Sequence, residues 1–367
     1  MLGGAVAATG GIAYWFSDKT SVVRANLEPG DQGMETLQPD EREILFLASL
    51  APSGHNTQPW FVELVAPYHW IVGSDHRKWL PGVDPLQRET MLSIGAFLQN
   101  LEYAARSFGY TCQWSLLATT NQDDRVMDVR LVKAGSRDSG NLESMKQRRT
   151  VRRGFLSDPL RKEDVAHLVD TEPERVHYLP AGGREARFIN EQTMEANRLQ
   201  TYRDPAQQEL ADWIRFSSAD ARKYRDGLTT GSMEIQGMAG WVLRNFYGKD
   251  SVLEKDFRER GLDQVRREVS SSAGWLTITS QDASVASLLD CGRRMQRLFL
   301  KVRGRNIAIH PMTQILEEPS TKRALPAAIG LGEHIQFILR TGYLAHYPLP
   351  VSLRRPVSWF VRPPGAS

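Results

Sequence analysis

APSGHNTQPW, residues 51–60, joins an amphipathic run, DEREILFLASL (40–50), to an apolar one, FVELV (61–65). A surface turn between a helix and a strand needs one or two backbone-shaping residues, and this stretch holds far more. Asn56 and Gln58 offer amide donors and acceptors, and Ser53 a hydroxyl. Gly54 lets the backbone approach a flat ligand closely, and Pro52 and Pro59 stiffen the loop. The stretch therefore reads as backbone built to lie against something. A well-capped connection accounts for the same residues, and His55 alone reads as exposed or structural.

Working outward, the apolar positions Ile44, Leu45, Leu47 and Leu50 make 39–50 a helix, with Pro39 as its start signal. Short strands follow at 61–65 and 69–73. In 86–108, Met91, Ile94, Phe97, Leu98, Leu101, Ala104, Ala105 and Phe108 recur at spacings of three and four, which predicts a long helix. Gly109 caps it. TCQWSLL (111–117) and VMDVRLV (126–132) read as strands, and GSRDSG (135–140) as a boundary. A helix is then expected to enter Arg148–Arg153. Residues 161–170 read as helical, 175–179 as extended and 184–225 as helical and charged.

Residues 226–270 carry few periodic cues and read either as a cover or as a helical surface insertion. Beyond them come a strand, AGWLTITS (273–280), a second strong helix at 282–302, the strand NIAIHP (306–311) and a last strand at 334–343. A proline-spaced tail, 347–364, closes the chain. The succession long helix, glycine, strand occurs at 101–117 and again at 293–311, an approximate internal repeat. Strands parted by long helices, with hairpin-like pairs, give an α+β sandwich.

Composition narrows the function. The chain has 367 residues, 41% hydrophobic and 24% charged, with net charge +3, as in a globular protein without the concentrated basic face of a nucleic-acid binder. Its two cysteines, Cys112 and Cys291, lie far apart with no CxxC, and the eight histidines are scattered with no HExxH. Neither a disulfide framework nor a metal site is expected. There is no GxGxxG after a first strand and no GxxxxGK[ST], so dinucleotide-fold and P-loop readings lose their support. Residues 1–17 are small or apolar, too short to span a membrane and suited to a signal peptide or one-sided anchor, although no basic residue precedes them. Export, periplasmic location or membrane anchoring stands beside a plain Gly/Ala tail and a cytoplasmic protein. Residues 20–38 read as a polar linker.

Arginine carries the rest of the chemistry. Arg148, Arg149, Arg152 and Arg153 straddle Thr150, and Arg354-Arg355 lie in the tail. Guanidinium forks pair with phosphate through parallel charge-assisted hydrogen bonds, so two such groups from distant segments can clamp one dianion. A solvated basic face, or contact with anionic lipid, is the competing reading.

PSGHNTQPW (52–60) resembles the PSSxNxQPW motif of the flavin-dependent nitroreductase family, and RRTVRRGF (148–155) resembles its RRSxRxF motif. The tail arginines before Pro356-Val357 resemble its C-terminal phosphate-binding segment. VDPLQRETMLSIGAFLQNLEYAARSFGY (83–110), IAIHPMTQILE (307–317) and FILRTGYLAHYPLPVSLRRPV (337–357) resemble the Acg-type branch. Together these stretches cover most of 40–362.

The resemblance implies an FMN protein of the α+β nitroreductase fold. Ordinary members are homodimers with the flavin at the interface, and here each half carries only part of the site. The implied architecture is a single-chain pseudo-dimer: an N-terminal signal or anchor-like segment and linker (1–38), a first half (39–139), and a second half (140–367) with a lid insertion (226–270). Arg148, Arg149, Thr150 and Arg152 would hold the phosphate and ribityl chain, and Arg354 and Arg355 the phosphate. Pro52, Ser53, Gly54 and Asn56 would line the ring from the other side. The turn His310, Pro311, Met312, Thr313 would bring a backbone N–H to the redox edge. Gly54 stands where the family has its second serine. No side chain is assigned as an obligatory acid or base. The implied activity is reduction of a quinone or nitroaromatic-type acceptor by NAD(P)H, and the alternative is an FMN-sequestering protein with a covered flavin and little turnover. A non-flavin scaffold whose arginines meet lipid is a third reading. Further dimerisation of the chain is left open.

Overall fold

The structure, a computed structural model, describes residues 18–27, 36–170, 172–331 and 334–364. The apolar start, residues 1–17, lies outside the described residues. Helix α1 (Pro39–Ala48) begins where Pro39 and Glu41 predict it. Glu41 accepts a hydrogen bond from the Gln38 amide at 2.9 Å, closing a capping box. Its other oxygen accepts from the Tyr68 amide at 2.7 Å, so the cap also pins a hairpin. That hairpin is β1 (Trp60–Ala66) and β2 (His69–Ser74). Helix α2 (Arg88–Ser107) follows, then β3 (Tyr110–Leu116) and β4 (Arg125–Lys133). The Asp84 carboxylate accepts from the Glu89 and Thr90 amides at 2.8 and 3.1 Å, satisfying the open first turn of α2.

After the exposed 135–140 boundary come α3 (Leu142–Gln147), α4 (Lys162–Val169) and β5 (Val176–Pro180). A helical layer then spans α5 (Arg184–Thr201), α6 (Asp204–Trp213), β6 (Ile214–Arg215), α7 (Ser218–Tyr224), β7 (Leu228–Thr229), α8 (Gly237–Phe246) and α9 (Lys255–Ser270). Strand β8 (Gly274–Ser280), helix α10 (Val285–Val302), β9 (Ile307–Pro311), α11 (Gln314–Glu317), α12 (Pro319–Ile329) and β10 (His334–Tyr343) follow, and the tail ends in β11 (Val361–Arg362).

Among the described residues one sheet has the order β11-β1-β2-β4-β3, and another β5-β8-β10-β9. Leaving β11 aside, the two share one plan. All neighbours are antiparallel, the first two strands are adjacent, the last strand lies third, and a long helix separates the second strand from the third. The approximate sequence repeat is therefore a repeat of topology.

The two long helices pack against each other through glycine. A Cβ on Gly95 would stand 2.2 Å from the Leu289 carbonyl oxygen, and one on Gly292 2.0 Å from that of Leu92. One turn onward, Arg297 donates to Gln99 at 2.9 Å and Gln296 to Asn100 at 2.7 Å. Burial of Ile94, Phe97, Leu98, Leu288, Met295 and Phe299 in one continuous core supplies the main driving force.

Two sequence expectations need correcting. No helix enters 148–153. Helix α3 stops at Gln147, and Arg148 has ψ 133. The following amides of Arg152 and Arg153 instead donate to the Glu234 carboxylate, at 3.1 and 2.7 Å. Nor is 20–38 simply a linker: residues 18–27 pack on the molecule, with Val22 buried against Ala221 and Leu353.

Candidate functional site

A cavity of about 970 Å³ is lined by residues from both sides of the 135–140 boundary, including the helical layer. Its walls include the three distant segments singled out by the sequence. The first half gives Pro52, Ser53, Gly54 and His55. The stretch after α3 gives Thr150, Arg152 and Arg153, and the turn after β9 gives His310, Met312 and Thr313. The helical layer contributes Met233, Met238, Val242 and Leu243 near α8, with Tyr247 and Phe257 beyond, beside Arg258, Gln264 and Glu268 of α9.

The loop 52–58 keeps its shape at a conformational cost. His55, Asn56 and Gln58 all have left-handed φ, 46°, 55° and 54°, a region that non-glycine residues enter only when their surroundings hold them there. Those surroundings are specific. Ser53 Oγ accepts from the Gln58 amide at 3.0 Å. Asn56 Nδ2 donates to the carbonyls of Gly227 and Leu353, both at 3.2 Å. Gln58 Nε2 donates to the Arg225 carbonyl at 3.0 Å. The amides of Asn56 and Gln58, expected to face a ligand, thus fasten the loop to the layer above and to the tail. Gly54 is confined: a Cβ there would come 3.1 Å from Leu80 Cδ1 and 3.5 Å from Glu89 Oε2. A serine at this position would press on Leu80.

The arginines divide by partner. Arg149 is turned away from the cavity, donating to Glu234 at 2.7 Å and to the Leu349 carbonyl at 2.5 Å, in a buried ion pair. Arg355 also points elsewhere. It donates to the Gln58 and Trp60 carbonyls and so ties the tail to the entry of β1. Arg152 reaches the cavity. Its Nη1 lies 2.7 Å from His310 Nε2, so that nitrogen is the acceptor and the imidazole is neutral, with its proton on Nδ1. Burial, then the nearby Arg152 and Arg340, hold His310 well below the ordinary histidine range.

Arg148 and Arg354 converge at the carboxyl end of α1. Arg148 Nε donates to the Leu50 carbonyl at 3.3 Å, and Arg354 Nη2 to Leu50 and Ala51 at 3.0 and 3.1 Å. Arg354 Nη1 also reaches Asn56 Oδ1 at 2.8 Å. Arg148 touches Thr150 Oγ1 at 3.4 Å, which links this corner to the cavity wall. Among the described residues no carboxylate pairs with either guanidinium, and the buried Nε of Arg354 has no partner. Burial lowers Arg148 to about 10, and burial, then Arg148, holds Arg354 well below the ordinary arginine range. Two buried like charges without a counter-charge are costly, and an anion placed beside them would relieve that cost.

Thus Pro52, Ser53, Gly54, Thr150, Arg152, His310, Met312 and Thr313 line one cavity; Arg148 and Arg354 lie outside that lining, Arg148 bonded to Thr150 within it, and Asn56, Arg149 and Arg355 brace neighbouring segments. Sequence reading missed Glu89 and Glu317, which also line the cavity. Glu317 accepts from Gln200 at 2.7 Å and from Thr313 Oγ1 at 3.1 Å. Burial, and then the neighbouring Glu89, raise it well above the usual carboxylate range. Nothing in the local sequence marks these two glutamates, because they meet across more than two hundred positions.

Comparison with known proteins finds full-length relatives at low identity. The chain is 27% identical over 350 residues to a putative NAD(P)H nitroreductase, Rv3131, of Mycobacterium tuberculosis, covering 91% of this chain and 95% of that one. It is 22% identical over 340 residues to the probable NAD(P)H nitroreductase PigM of Serratia sp., covering 87% and 92%. It is 24% identical over 321 residues to the putative NAD(P)H nitroreductase acg of M. tuberculosis, covering 85% and 92%. No family model matches. The solved FMN-dependent nitroreductase NfnB from Mycobacterium smegmatis, in complex with NADPH, aligns with 60% of this chain and 97% of its own at 16% identity and TM-score 0.37, too weak a likeness to bear on fold or function. The fold is α+β, with two antiparallel-based sheets and a cavity lined by residues from distant parts of the chain. Over most of its length the chain is similar to proteins named as NAD(P)H nitroreductases.

Proposed function

We propose that this chain holds FMN in the inter-half cavity and acts as an NAD(P)H-dependent oxidoreductase toward small electron-poor acceptors such as quinones or nitroaromatics. One observation carries the reading: the cavity joins the 52–55 loop of the first half to the 150–153 and 310–313 segments of the second, beside guanidiniums that lack a carboxylate partner. Its volume is near the upper end for small-ligand sites and leaves space for a second planar molecule. The names of the full-length relatives support the same reading.

The donor set fits the cofactor. Arg148, Arg354 and Thr150 suit a phosphate, and the unpartnered Nε of Arg354 is a donor in want of an acceptor. Ser53, Gly54, Met312 and Thr313 suit the faces and edges of a ring. Bound FMN would supply the electron chemistry. The residues' task would be placement: the 52–55 loop would back the ring, Arg152 would add positive charge beside it, and Met233, Val242 and Leu243 would limit water.

We read residues 39–139 and 140–367 as related halves that together make one site, with 226–270 as its lid. The shared strand order and the reciprocal glycine contacts support that reading. The lid favours the alternative as well: a flavin covered by Met233, Met238, Tyr247 and Phe257 is held more readily than it is turned over. Export or anchoring through residues 1–17 is a proposal from sequence. Among the described residues no helix is long and apolar enough to cross a membrane.

An absorbance spectrum of the purified protein, before and after NADPH and then a quinone, tests the assignment. A flavin spectrum that bleaches and recovers is expected of the enzyme. A flavin spectrum inert to both nicotinamides selects the sequestering protein, and failure to bind added FMN removes both.

A further inference from the structure

Residues 18–27 do not trail away from the fold. Asp18 accepts from the Ser218 hydroxyl at 2.6 Å, and its own amide donates to Asn245 Oδ1 at 2.8 Å. Ser21 Oγ accepts from the Gly231 amide at 3.0 Å, and Val22 is buried against Ala221 and Leu353. The segment is thus strapped across the helical layer and the tail. Its course carries Arg24 to the corner where Arg148 and Arg354 meet. Arg24 Nη2 donates to the Lys146 carbonyl at 2.5 Å, two residues before Arg148. Arg148 and Arg354 in turn share the Leu50 carbonyl.

Arg24 is near enough to disfavour the charge on both of the others. Among the described residues it pairs with carbonyl oxygen and with no carboxylate. Three guanidiniums from three distant segments, one with a fully buried and unpartnered Nε, form a converging cationic corner that a protein stabilises by receiving a multiply charged anion.

We propose that Arg24, on the N-terminal strap, is the third arginine of this anion site and binds the terminal phosphate monoester of the ligand in the cavity. This rests on the flavin reading, and the test separates the two. Apo-protein of the full chain is titrated with FMN and with riboflavin, which lacks the phosphate, by flavin fluorescence quenching. Wild type, Arg24→Ala and Arg24→Lys are compared, with thermal melts confirming equal folding. Loss of one charge-assisted contact predicts FMN binding weakened about tenfold or more in Arg24→Ala, unchanged riboflavin binding, and partial recovery in Arg24→Lys. Equal weakening for both flavins, or weakening for neither, overturns the proposal and leaves the flavin reading intact. A wild type that binds neither flavin defeats both. Phospholipid headgroups carry similar chemistry, so vesicles of phosphatidylglycerol form a second arm. Vesicle binding that disappears in Arg24→Ala while FMN binding holds assigns the arginine to lipid and overturns the proposal.

Discussion

Gly95 and Gly292 occupy equivalent places on the two long central helices, each lying under the carbonyl of the leucine three residues before the other: Leu289 above Gly95 and Leu92 above Gly292. The exchange is reciprocal, and so is the polar pairing of Gln99 with Arg297 and of Gln296 with Asn100.

Because the approach is to backbone, a methyl group at either glycine can be accommodated only by parting the helices. Gly95→Ala and Gly292→Ala should each cost about 1–3 kcal/mol by overpacking. The double variant should cost less than the sum, because the first substitution already opens the contact. Urea unfolding of the four proteins checks this, and additive losses would show that the two contacts yield independently.

Glu234, itself left-handed at φ 58°, holds three groups at once: the Arg149 guanidinium and the amides of Arg152 and Arg153. Glu234→Gln leaves Arg149 charged and buried without its counter-ion, which should cost about 3–5 kcal/mol. Adding Arg149→Met should recover part of that loss. Melting of the single and double variants decides it, and a double variant no better than the single would place the cost in the amides instead.

The histidines of the cavity should make stability sensitive to acid. Burial holds His55 down to about 4, with Arg152 adding to the effect and Glu89 opposing it, and His310 lies well below its ordinary value. Both are lowered by folding, so the unfolded chain binds more protons below about pH 6.5 and stability falls as pH drops through that range. For His55 the decline is complete near pH 4, and for His310 it continues lower. Asp84, raised to about 7 by burial and Glu89, works in the opposite sense, so each variant is judged against wild type. His310→Gln should lose less stability than wild type between pH 7 and 5 in denaturant titrations. Parallel profiles would mean that the ring does not stay neutral in the fold.

Asp18 fastens the strap to the layer that roofs the cavity. Asp18→Ala should speed release of bound flavin severalfold, followed by fluorescence recovery on dilution, with little change in the spectrum of the bound form. An unchanged release rate would place the exit elsewhere.

Much of this arrangement was legible before any coordinates. The 3.6-residue period of 86–108 and 282–302 gave both central helices, since their apolar faces repeat over five turns, and alternating β-rich runs gave the strands. The loop at 52–58 was readable as an unusually shaped turn from its residue types, but not that Asn56 and Gln58 would fasten it to Gly227, Leu353 and Arg225. What failed was partner choice. A guanidinium suits a phosphate, a carboxylate or a carbonyl equally well, and only the fold sends Arg149 to Glu234 and Arg355 to Gln58. The helix expected at 148–153 was lost for a similar reason, because a glutamate 80 residues away took its amides. Arg24 was invisible, since nothing in a polar stretch announces where it will lie.

The tail has one more implication. Strand β11 joins the first sheet in parallel beside β1, with Val361 opposite Val62 and the Phe360 carbonyl accepting from the Val62 amide at 2.8 Å. The last strand of that sheet is therefore donated by the opposite end of the polypeptide. Cutting the exposed 135–140 connection should yield two fragments that stay associated, since the first fragment's sheet takes its β11 edge from the second, and neither piece made alone should assemble the pocket.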